Sequence, residues 1–176
     1  MSLAPTNRKV FLTAHVVASV GWLGAVAGSL ALAVTALAST DETVVRACWI
    51  ALEATGLYVL LPLSFASLLT GTFQALRTRW GLLKHYWVVA KLVLNVSSSI
   101  VLLLYLQTLA YVADLARNPA TGLADLRDPS PVLHATAAIV LLVGATVLSV
   151  FKPKGLTRHG RRVAAGRVSP EAGFVA

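Results

Sequence analysis

Charged residues are scarce in this chain of 176 residues, and four long stretches contain none at all. Asp, Glu, Lys and Arg are absent from the ranges 10–40, 54–76, 92–113 and 129–151. Each range exceeds the roughly 20 residues that an α-helix needs to cross a hydrocarbon core about 30 Å thick. Because 57% of the residues are hydrophobic, the composition also excludes an ordinary soluble domain. These gaps predict a membrane protein with four spanning helices.

Cysteine, methionine and the usual catalytic motifs are also lacking. Cys48 is the single cysteine, which excludes an intramolecular disulfide, and Met1 is the single methionine. No glycine-rich phosphate loop, Cys-x-x-Cys pair, zinc-protease motif or evident nucleophile–base constellation occurs in the sequence. A hydrolase or a transferase is therefore the least favoured class of function.

The basic residues crowd into alternate gaps between the predicted spans. Eleven of them lie on one side of the spans and three on the other, where acidic residues accompany them. The positive-inside rule therefore predicts that both termini and the loop near residue 80 are cytoplasmic. The net charge of +8 then requires no nucleic-acid partner and favours anionic lipid headgroups on that side. The eleven residues are Arg8, Lys9, Arg77, Arg79, Lys84, Lys152, Lys154, Arg158, Arg161, Arg162 and Arg167, and the three are Arg46, Arg117 and Arg127.

The predicted fold class is all-α, a four-helix transmembrane bundle with up-down connectivity and both termini cytoplasmic, integral to the bacterial inner membrane. One membrane domain covers residues 1–155, and the basic tail 156–176 is predicted to be disordered or to lie on the headgroups. Pro62 is expected to kink the second span. An A-x-A sequence at 36–38 resembles a signal-peptide cleavage site, but the apolar stretch before it is about twice the usual length. The predicted spans are 10–37, 48–76, 82–113 and 131–151.

The first span has a polar face and a glycine face on opposite sides, by the helical angle of about 100° per residue. Gly24 and Gly28 form a GxxxG motif, which lets two helix backbones approach closely. The motif predicts either packing within the bundle or, if the polar face points inward, a homodimer through Gly24 and Gly28. The polar face carries His15, Ser19, Trp22 and Val26, and the opposite face carries Gly21, Gly24 and Gly28.

Lys91 is an ammonium group inside the third predicted span. It lies about 13 Å from the start of that span at 1.5 Å per residue, near the midplane. The only acid within a span, Glu53, is expected near the other edge. Lys91 therefore either snorkels to the cytoplasmic headgroups or faces a cavity, where it would bind the carboxylate of a ligand. Lys84, Trp87, Asn95, Ser98 and Tyr105 fall on the same helical line.

Histidines are the second candidate for a site. His15 and His85 are expected at similar depths near the cytoplasmic edge, on different helices. Two imidazoles so arranged could bind a haem iron axially or share a transition metal. Arg77, Arg79 and Lys84 are near enough in sequence to meet haem propionates. His134, at the outer end of the fourth span, is a further metal-ligand candidate in a different layer.

These segments resemble known families of membrane proteins. The chain resembles the DUF2269-type family of small bacterial four-span proteins through His15…Gly21-Trp22-Leu23-Gly24, the 80–87 turn with Lys91, and the 152–155 exit. This resemblance implies the four-span fold and no particular activity. The piece from His15 to Gly24 is also similar to an opening-helix pattern of copper-resistance D-type membrane proteins. That similarity covers one helix, and the Met-rich segments of copper handlers are absent.

Three hypotheses of function follow from these residues. The first is a small protein that binds haem b or a transition metal through His15 and His85, with Lys91 as an internal cation. The second is a non-enzymatic accessory or scaffold protein that associates through the glycine face of span 1. The third is a carrier for a small anionic or lipid-like solute around Lys91.

Overall fold

The computed structural model describes residues 5–78 and 80–165, and this part of the chain consists of helices joined by short loops. A π-helical turn, Gly56–Leu60, joins α2 to α3, and a 3₁₀ turn, Leu123–Leu126, lies in the loop before α5. The α-helices are α1 (Pro5–Ala38), α2 (Glu42–Thr55), α3 (Leu61–Arg77), α4 (Tyr86–Arg117), α5 (Ser130–Phe151) and α6 (Arg158–Ala165).

Four helical segments are long and apolar enough to cross a membrane. They are α1, the continuous run of α2 and α3, α4, and α5 with the 3₁₀ turn before it. At 34 residues, α1 extends about 50 Å. The expected all-α fold with four candidate spans is therefore confirmed, and it fits a multi-pass membrane protein.

The second span is interrupted close to the proline that was expected to kink it. Pro62 lacks an N–H group, and the turn before it is π-helical: the N–H of Leu61 bonds to the carbonyl of Gly56. A Cβ added at Gly56 would lie 2.9 Å from Leu106 Cδ2 on α4. The absence of a side chain at Gly56 therefore lets the π-helical turn contact α4 directly.

The third span begins at Tyr86 and not at Leu82. His85 has extended backbone angles, and the N–H of Tyr86 donates to the carbonyl of Gly155, in the chain after α5. Gly81 has a φ of +61°, which favours glycine and helps to form a turn before the helix. The hydrophobic pattern extended the predicted helix over these residues because it carries no information on their backbone bonds.

The two ends of the bundle differ in charge. The basic end comprises residues 5–9, the turn 80–85 and residues 152–165; the mixed-charge end comprises the loops 39–41 and 118–129 with the adjoining helix ends. His15 bonds to Thr70 and Ser19 bonds to Ser67, so a later residue of α1 contacts an earlier residue of α3. These two helices therefore run in opposite directions, and the contacts of α4 with α5 show the same relation.

The largest buried hydrophobic cluster lies toward the mixed-charge end. Trp49 is only 1% exposed, and its Nε1–H donates to the carbonyl of Leu126 at 3.0 Å. A second cluster contains Trp22 and Val26 of α1 with Ala135 of α5. Burial of Trp22 and Val26 shows that the polar face of α1 points into the bundle, which the sequence left open.

The start of the predicted tail is folded. Residues 158–165 form α6, and the preceding Thr157 bonds to the backbone of Lys84. The tail was expected to be disordered or to lie on headgroups because its composition is polar and its periodicity weak. Its helix depends on contacts with the distant turn before α4, which the local sequence does not reveal. The rest of the tail, from residue 166, lies outside the described residues.

Candidate functional site

Three helices meet at a level of small polar side chains. Ser19 on α1 and Ser67 on α3 are hydrogen-bonded through their hydroxyls at 2.9 Å. Asn95 on α4 donates its Nδ2–H to the same Ser67 hydroxyl at 3.3 Å. Ser67 is only 3% exposed, so this level lies inside the bundle. Such contacts join α1, α3 and α4 where hydrocarbon would leave the groups unsatisfied.

His15 lies one helical turn closer to the basic end. Its Nδ1 is 3.0 Å from the hydroxyl of Thr70, which itself donates to the carbonyl of Ala66 at 2.6 Å. The hydroxyl therefore accepts from the imidazole, which assigns the proton to Nδ1 and leaves Nε2 as an acceptor. A Cβ at Gly71 would come within 2.9 Å of His15 Cε1, so the ring packs directly against the backbone of α3.

Lys91 lies between α4 and α5 and is half-buried. Its ammonium donates to the hydroxyl of Ser149 at 3.0 Å and is 4.8 Å from the ring centre of Trp87. Lys91 comes five residues after Tyr86, a rise of about 8 Å, and Ser149 is two residues from the end of α5. The expected depth of about 13 Å is therefore too great, because α4 begins later than predicted.

No described carboxylate bonds to Lys91. The ion pairs among the described residues join Arg46 to Glu42, and Arg117 to Glu53 and Asp114. All of them lie toward the mixed-charge end. Within residues 5–78 and 80–165, every Asp and Glu lies in that half of the bundle, so the ammonium has only a neutral hydroxyl and an aromatic ring as described partners.

A run of buried polar atoms on α4 has no hydrogen-bond partner in the described part of the chain. It consists of an indole N–H, an amide oxygen and two hydroxyls between residues 87 and 99. Buried polar groups rarely lack a hydrogen-bond partner, so several such groups without a described partner on one helix are unusual. Most of the cluster lies on the helical line of Lys91. The atoms are Trp87 Nε1, Asn95 Oδ1, Ser98 Oγ and Ser99 Oγ.

A cavity of about 240 Å³ continues this face of α4 toward the mixed-charge end. It lies between α1, α4 and α5, and its walls are mostly apolar, with Trp22, Leu102 and Ala138 among them. Ser98 and Tyr105 line it from α4. A polar region around Lys91 and an apolar cavity therefore follow one another along a single face of the same helix.

His85 lies in the turn before α4, at a different level from His15. Its Nδ1 is 2.8 Å from the carbonyl oxygen of Trp80, and its ring packs edge-on to that indole at 5.1 Å. It precedes Lys91 by six residues, about 9 Å along a helix axis. Ser19 and Asn95 both bond to Ser67 and therefore lie at the same level of the bundle. His15 and Lys91 each lie one helical turn closer to the basic end than these two residues, so His15 is level with Lys91. The equal depth expected for His15 and His85 is not found.

The remaining candidate residues are dispersed. Arg77 stacks on the ring of Phe73 at 5.4 Å, and the side chain of Lys84 folds against Gly81. Neither forms a described contact with His15 or His85. His134 lies toward the other end of the bundle and stacks on Tyr105 at 3.9 Å. Arg79 lies outside the described residues.

The described residues contain no group of three or more His, Cys, Asp or Glu side chains that could hold a metal ion. His15, His85 and His134 lie at three different levels of the bundle, so the structure does not gather them into one site. Each imidazole uses Nδ1 in a local hydrogen bond, to Thr70, Trp80 and Ser130 respectively.

Sequence reasoning did not identify Ser149, Thr70 or Gly71 as neighbours of the candidate residues. Ser149 and Thr70 are common small polar residues in apolar helices, and nothing local pairs them with a cation or an imidazole. Gly71 contacts His15 through the packing of α3 against α1, which the local sequence does not reveal. Comparison with known proteins finds no matching family model, no similar curated protein and no similar solved structure. The resemblance to the DUF2269-type family stays a prediction.

Proposed function

We propose that this protein binds a single-chain anionic amphiphile, such as a long-chain carboxylate, along the seam between α4 and α5. The observation that carries the proposal is the ammonium of Lys91, which has a serine hydroxyl and no carboxylate among its described partners. A charge within a membrane-spanning helix is costly and usually pairs with another group. The anionic end of a ligand would supply that pair.

The groups around Lys91 favour an anion over a neutral ligand. The indole N–H of Trp87 is a buried donor without a described partner, and its ring is already within 4.8 Å of the ammonium. Ammonium and indole N–H groups are donors only, so both are suited to a carboxylate or phosphate oxygen. Charge-assisted hydrogen bonds of this kind are stronger than neutral ones.

The cavity supports an apolar chain attached to that anion. From Lys91 to Tyr105 the axis of α4 rises about 21 Å, and the 240 Å³ cavity lies along the second half of this distance. One leaflet of a bilayer has a hydrocarbon thickness of about 15 Å, so this length accommodates a chain like those of membrane lipids. Apolar cavities remain dry, and a hydrocarbon chain fills them better than water.

The proposed orientation places the basic end in the cytoplasm. Residues 8 and 9, the 77–84 region and residues 152–162 carry ten of the fifteen Lys and Arg residues, which supports cytoplasmic termini in a bacterial inner membrane. The opposite directions of α1 and α3, and of α4 and α5, support up-down connectivity. The ligand's anionic group would then lie toward the cytoplasmic leaflet.

Binding of palmitate by the protein in detergent, followed by native mass spectrometry, tests the proposal. Lys91→Met keeps the length of the side chain and removes its charge, and we expect it to weaken palmitate binding about tenfold or more. Lys154→Met is the matched control: it removes an exposed positive charge at the same end. Equal affinity in wild type, Lys91→Met and Lys154→Met would contradict the proposal.

The length of the ligand provides a second, independent test. Ala138→Leu adds a larger side chain to the cavity wall and should reduce binding of palmitate more than binding of octanoate. Octanoate extends no further than the near edge of the cavity, at Ser97 and Ser98, so its affinity should depend mainly on Lys91. An equal loss of affinity for both acids in Ala138→Leu would show that the cavity is not part of the binding site.

Haem b or a transition metal at His15 and His85 stays a prediction. Each ring has its Nδ1 in a hydrogen bond, an arrangement common among metal-binding histidines. The difference in level between them argues against one compact site. The visible absorption spectrum of the purified protein after addition of haemin tests this alternative, since axial histidine coordination produces a Soret band.

A homodimer through the glycine face of α1 is the second candidate function. Gly24 and Gly28 are exposed, and a Cβ at either would meet nothing within 4 Å in the described part of the chain. Gly21, on the same face, packs against Leu63 of α3, so the described bundle leaves only the Gly24–Gly28 part of the face uncovered, which supports an accessory or scaffold role for that part. Cysteine crosslinking in membranes tests the dimer: Gly24→Leu and Gly28→Leu should abolish a crosslink between copies of α1, whereas Val34→Leu should not.

A further inference from the structure

The chain after α5 returns to the start of α4 and is fixed there. α5 ends at Phe151, and the next residue, Lys152, adopts a left-handed conformation with a φ of 44°. Three residues later, the carbonyl of Gly155 accepts from the N–H of Tyr86, and the N–H of Thr157 then donates to the carbonyl of Lys84 at 3.0 Å. This short two-stranded contact holds the segment against the turn before α4.

Helix α6 starts from this anchor and lies directly on the turn. The hydroxyl of Thr157 accepts from the N–H of Gly160 at 3.0 Å, and its carbonyl accepts from Arg161 at 2.9 Å, as in the first turn of a capped helix. A Cβ at Gly160 would overlap the carbonyl oxygen of Lys84. Glycine at this position therefore lets the backbone of α6 contact the backbone of the turn.

The contact with Lys84 fixes the depth of α6. Lys84 is two residues before the first residue of α4. Phe151, the last residue of α5, is seven residues before Arg158, the first residue of α6. The headgroup layer occupies about 5–8 Å on each side of the hydrocarbon core. In a membrane spanned by α4, a helix in contact with the residues just before α4 would lie in that layer.

The exposed face of α6 is basic. Arg158, Arg161 and Arg162 stand at spacings of three and four residues, so they share one side of the helix, and all three are exposed. Gly160 is on the opposite side, where the helix contacts the turn. Like charges so placed repel one another, and no described Asp or Glu lies at this end of the bundle to offset them.

We propose that this face of α6 binds the headgroups of anionic phospholipids. Guanidinium groups bind phosphate oxygens in a bidentate manner, and the depth of the helix places them at the phosphates of the leaflet. The docking through Gly160 orients the three arginines away from the protein. The site is separate from the seam at Lys91 and does not depend on the ligand proposed there.

The experiment uses the full chain in vesicles of equal phosphatidylglycerol and phosphatidylcholine, and it measures the relative association of spin-labelled forms of the two lipids. The triple variant Arg158→Gln, Arg161→Gln, Arg162→Gln should lower the preference for phosphatidylglycerol about fivefold or more. Gly160→Leu keeps every charge but displaces the helix from Lys84, and it should lower the preference as well. Circular dichroism checks that the four long helices are retained in both variants.

Several results would overturn the proposal. The first is a preference for phosphatidylglycerol as strong as that of the wild type in either the triple variant or Gly160→Leu, because the proposal requires both the charges and the docking of α6. The second is an equal loss of this preference per removed charge in the double variant Arg8→Gln, Lys9→Gln. Both residues lie at the basic end, so this result would indicate a general attraction of anionic lipid to that end of the protein. A soluble RNA oligonucleotide that binds more strongly than either lipid, with binding lost in the same variants, would assign the face to another partner.

Discussion

Positively charged side chains have different hydrogen-bond partners toward the two ends of the bundle. At the mixed-charge end, Arg46 donates to the carbonyls of Ala116, Asn118 and Thr121, and Arg127 donates to those of Ala36, Leu37 and Ser39. Both guanidinium groups thus satisfy the last carbonyls of a spanning helix and the loop that follows it. At the basic end, Lys91 has one hydroxyl and one aromatic ring.

The difference between the two ends extends to packing. The mixed-charge end contains the cluster around Trp49, in which the indole N–H is bonded. Nearer the basic end, α4 has buried polar atoms without described partners. Side chains that complete helix ends stabilise a fold, whereas the proposed ligand would bind the buried polar groups that have no described partner, beside a cation with no described ion pair. Arg46 and Arg127, on the predicted outer side, are therefore structural.

The largest expected effect is at the mixed-charge end, from Arg46→Met. This substitution leaves three carbonyls at the end of α4 without their donor and removes the partner of Glu42. Bonds from charged donors contribute roughly 1.5–3 kcal/mol each, and the losses overlap, so we expect the free energy of unfolding to fall by about 3 kcal/mol. Titration with SDS in mixed micelles measures the change.

Arg117→Met is the matched control for that substitution. Arg117 pairs with Glu53 and Asp114, but its side chain is 44% exposed, and it donates to no carbonyl in the described contacts. Exposed ion pairs contribute little to stability, so its loss should be much smaller than that of Arg46. Equal losses for the two arginines would mean that helix-end capping does not distinguish this end of the bundle.

The second effect is at the His15 contact, from Gly71→Ala. The new methyl group would lie 2.9 Å from Cε1 of His15, so the imidazole must move and its bond to Thr70 lengthens or breaks. We expect a loss of about 1–2 kcal/mol in the free energy of unfolding. In a His15→Ala background the same change should be neutral or stabilising, because alanine is a better helix former than glycine.

A double-mutant cycle from these variants gives the coupling between Gly71 and His15 directly. A coupling energy near zero would show that the ring does not pack against α3 as described.

Sequence alone was enough to predict four candidate spans and the two opposite faces of α1, because these depend on charge-free length and on helical periodicity. Trp22 and Val26 are buried and Gly24 is exposed, as the helical angle requires. The start of α4 and the helix after Thr157 were not predicted, since both depend on backbone bonds between residues about 70 apart.

The candidate site was predicted only in part for the same reason. Lys91 and Asn95 could be singled out because polar groups in an apolar helix are unusual on their own. Their partners, Ser149 and Ser67, are not unusual, and only the packing of α5 and α3 against α4 identifies them. The match between His15 and His85 failed because a shift of four residues at the start of α4 moved His85 out of the helix.

The third effect sharpens the comparison at the basic end. Lys91→Met removes a half-buried cation that has no described ion pair, and methionine fills a similar volume. Replacing an unpaired internal charge by an apolar group is often neutral or stabilising, so we expect a change within about 1 kcal/mol. SDS titration of Lys91→Met beside Arg46→Met measures both ends with one method. A loss as large as that of Arg46→Met would assign Lys91 a structural role.

The smallest effect is expected on the outer face of α1, from Gly24→Ala in dilute detergent. Nothing lies within 4 Å of the new methyl group, whereas the corresponding methyl at Gly71 would overlap a ring. The free energy of unfolding should therefore change by no more than about 0.5 kcal/mol, with a gain if helix propensity decides the sign. A loss that grows with protein concentration would instead indicate a contact between copies through this face, because only an associated state would then contain an overlap. The concentration dependence thus separates the cost to one bundle from the cost to a dimer.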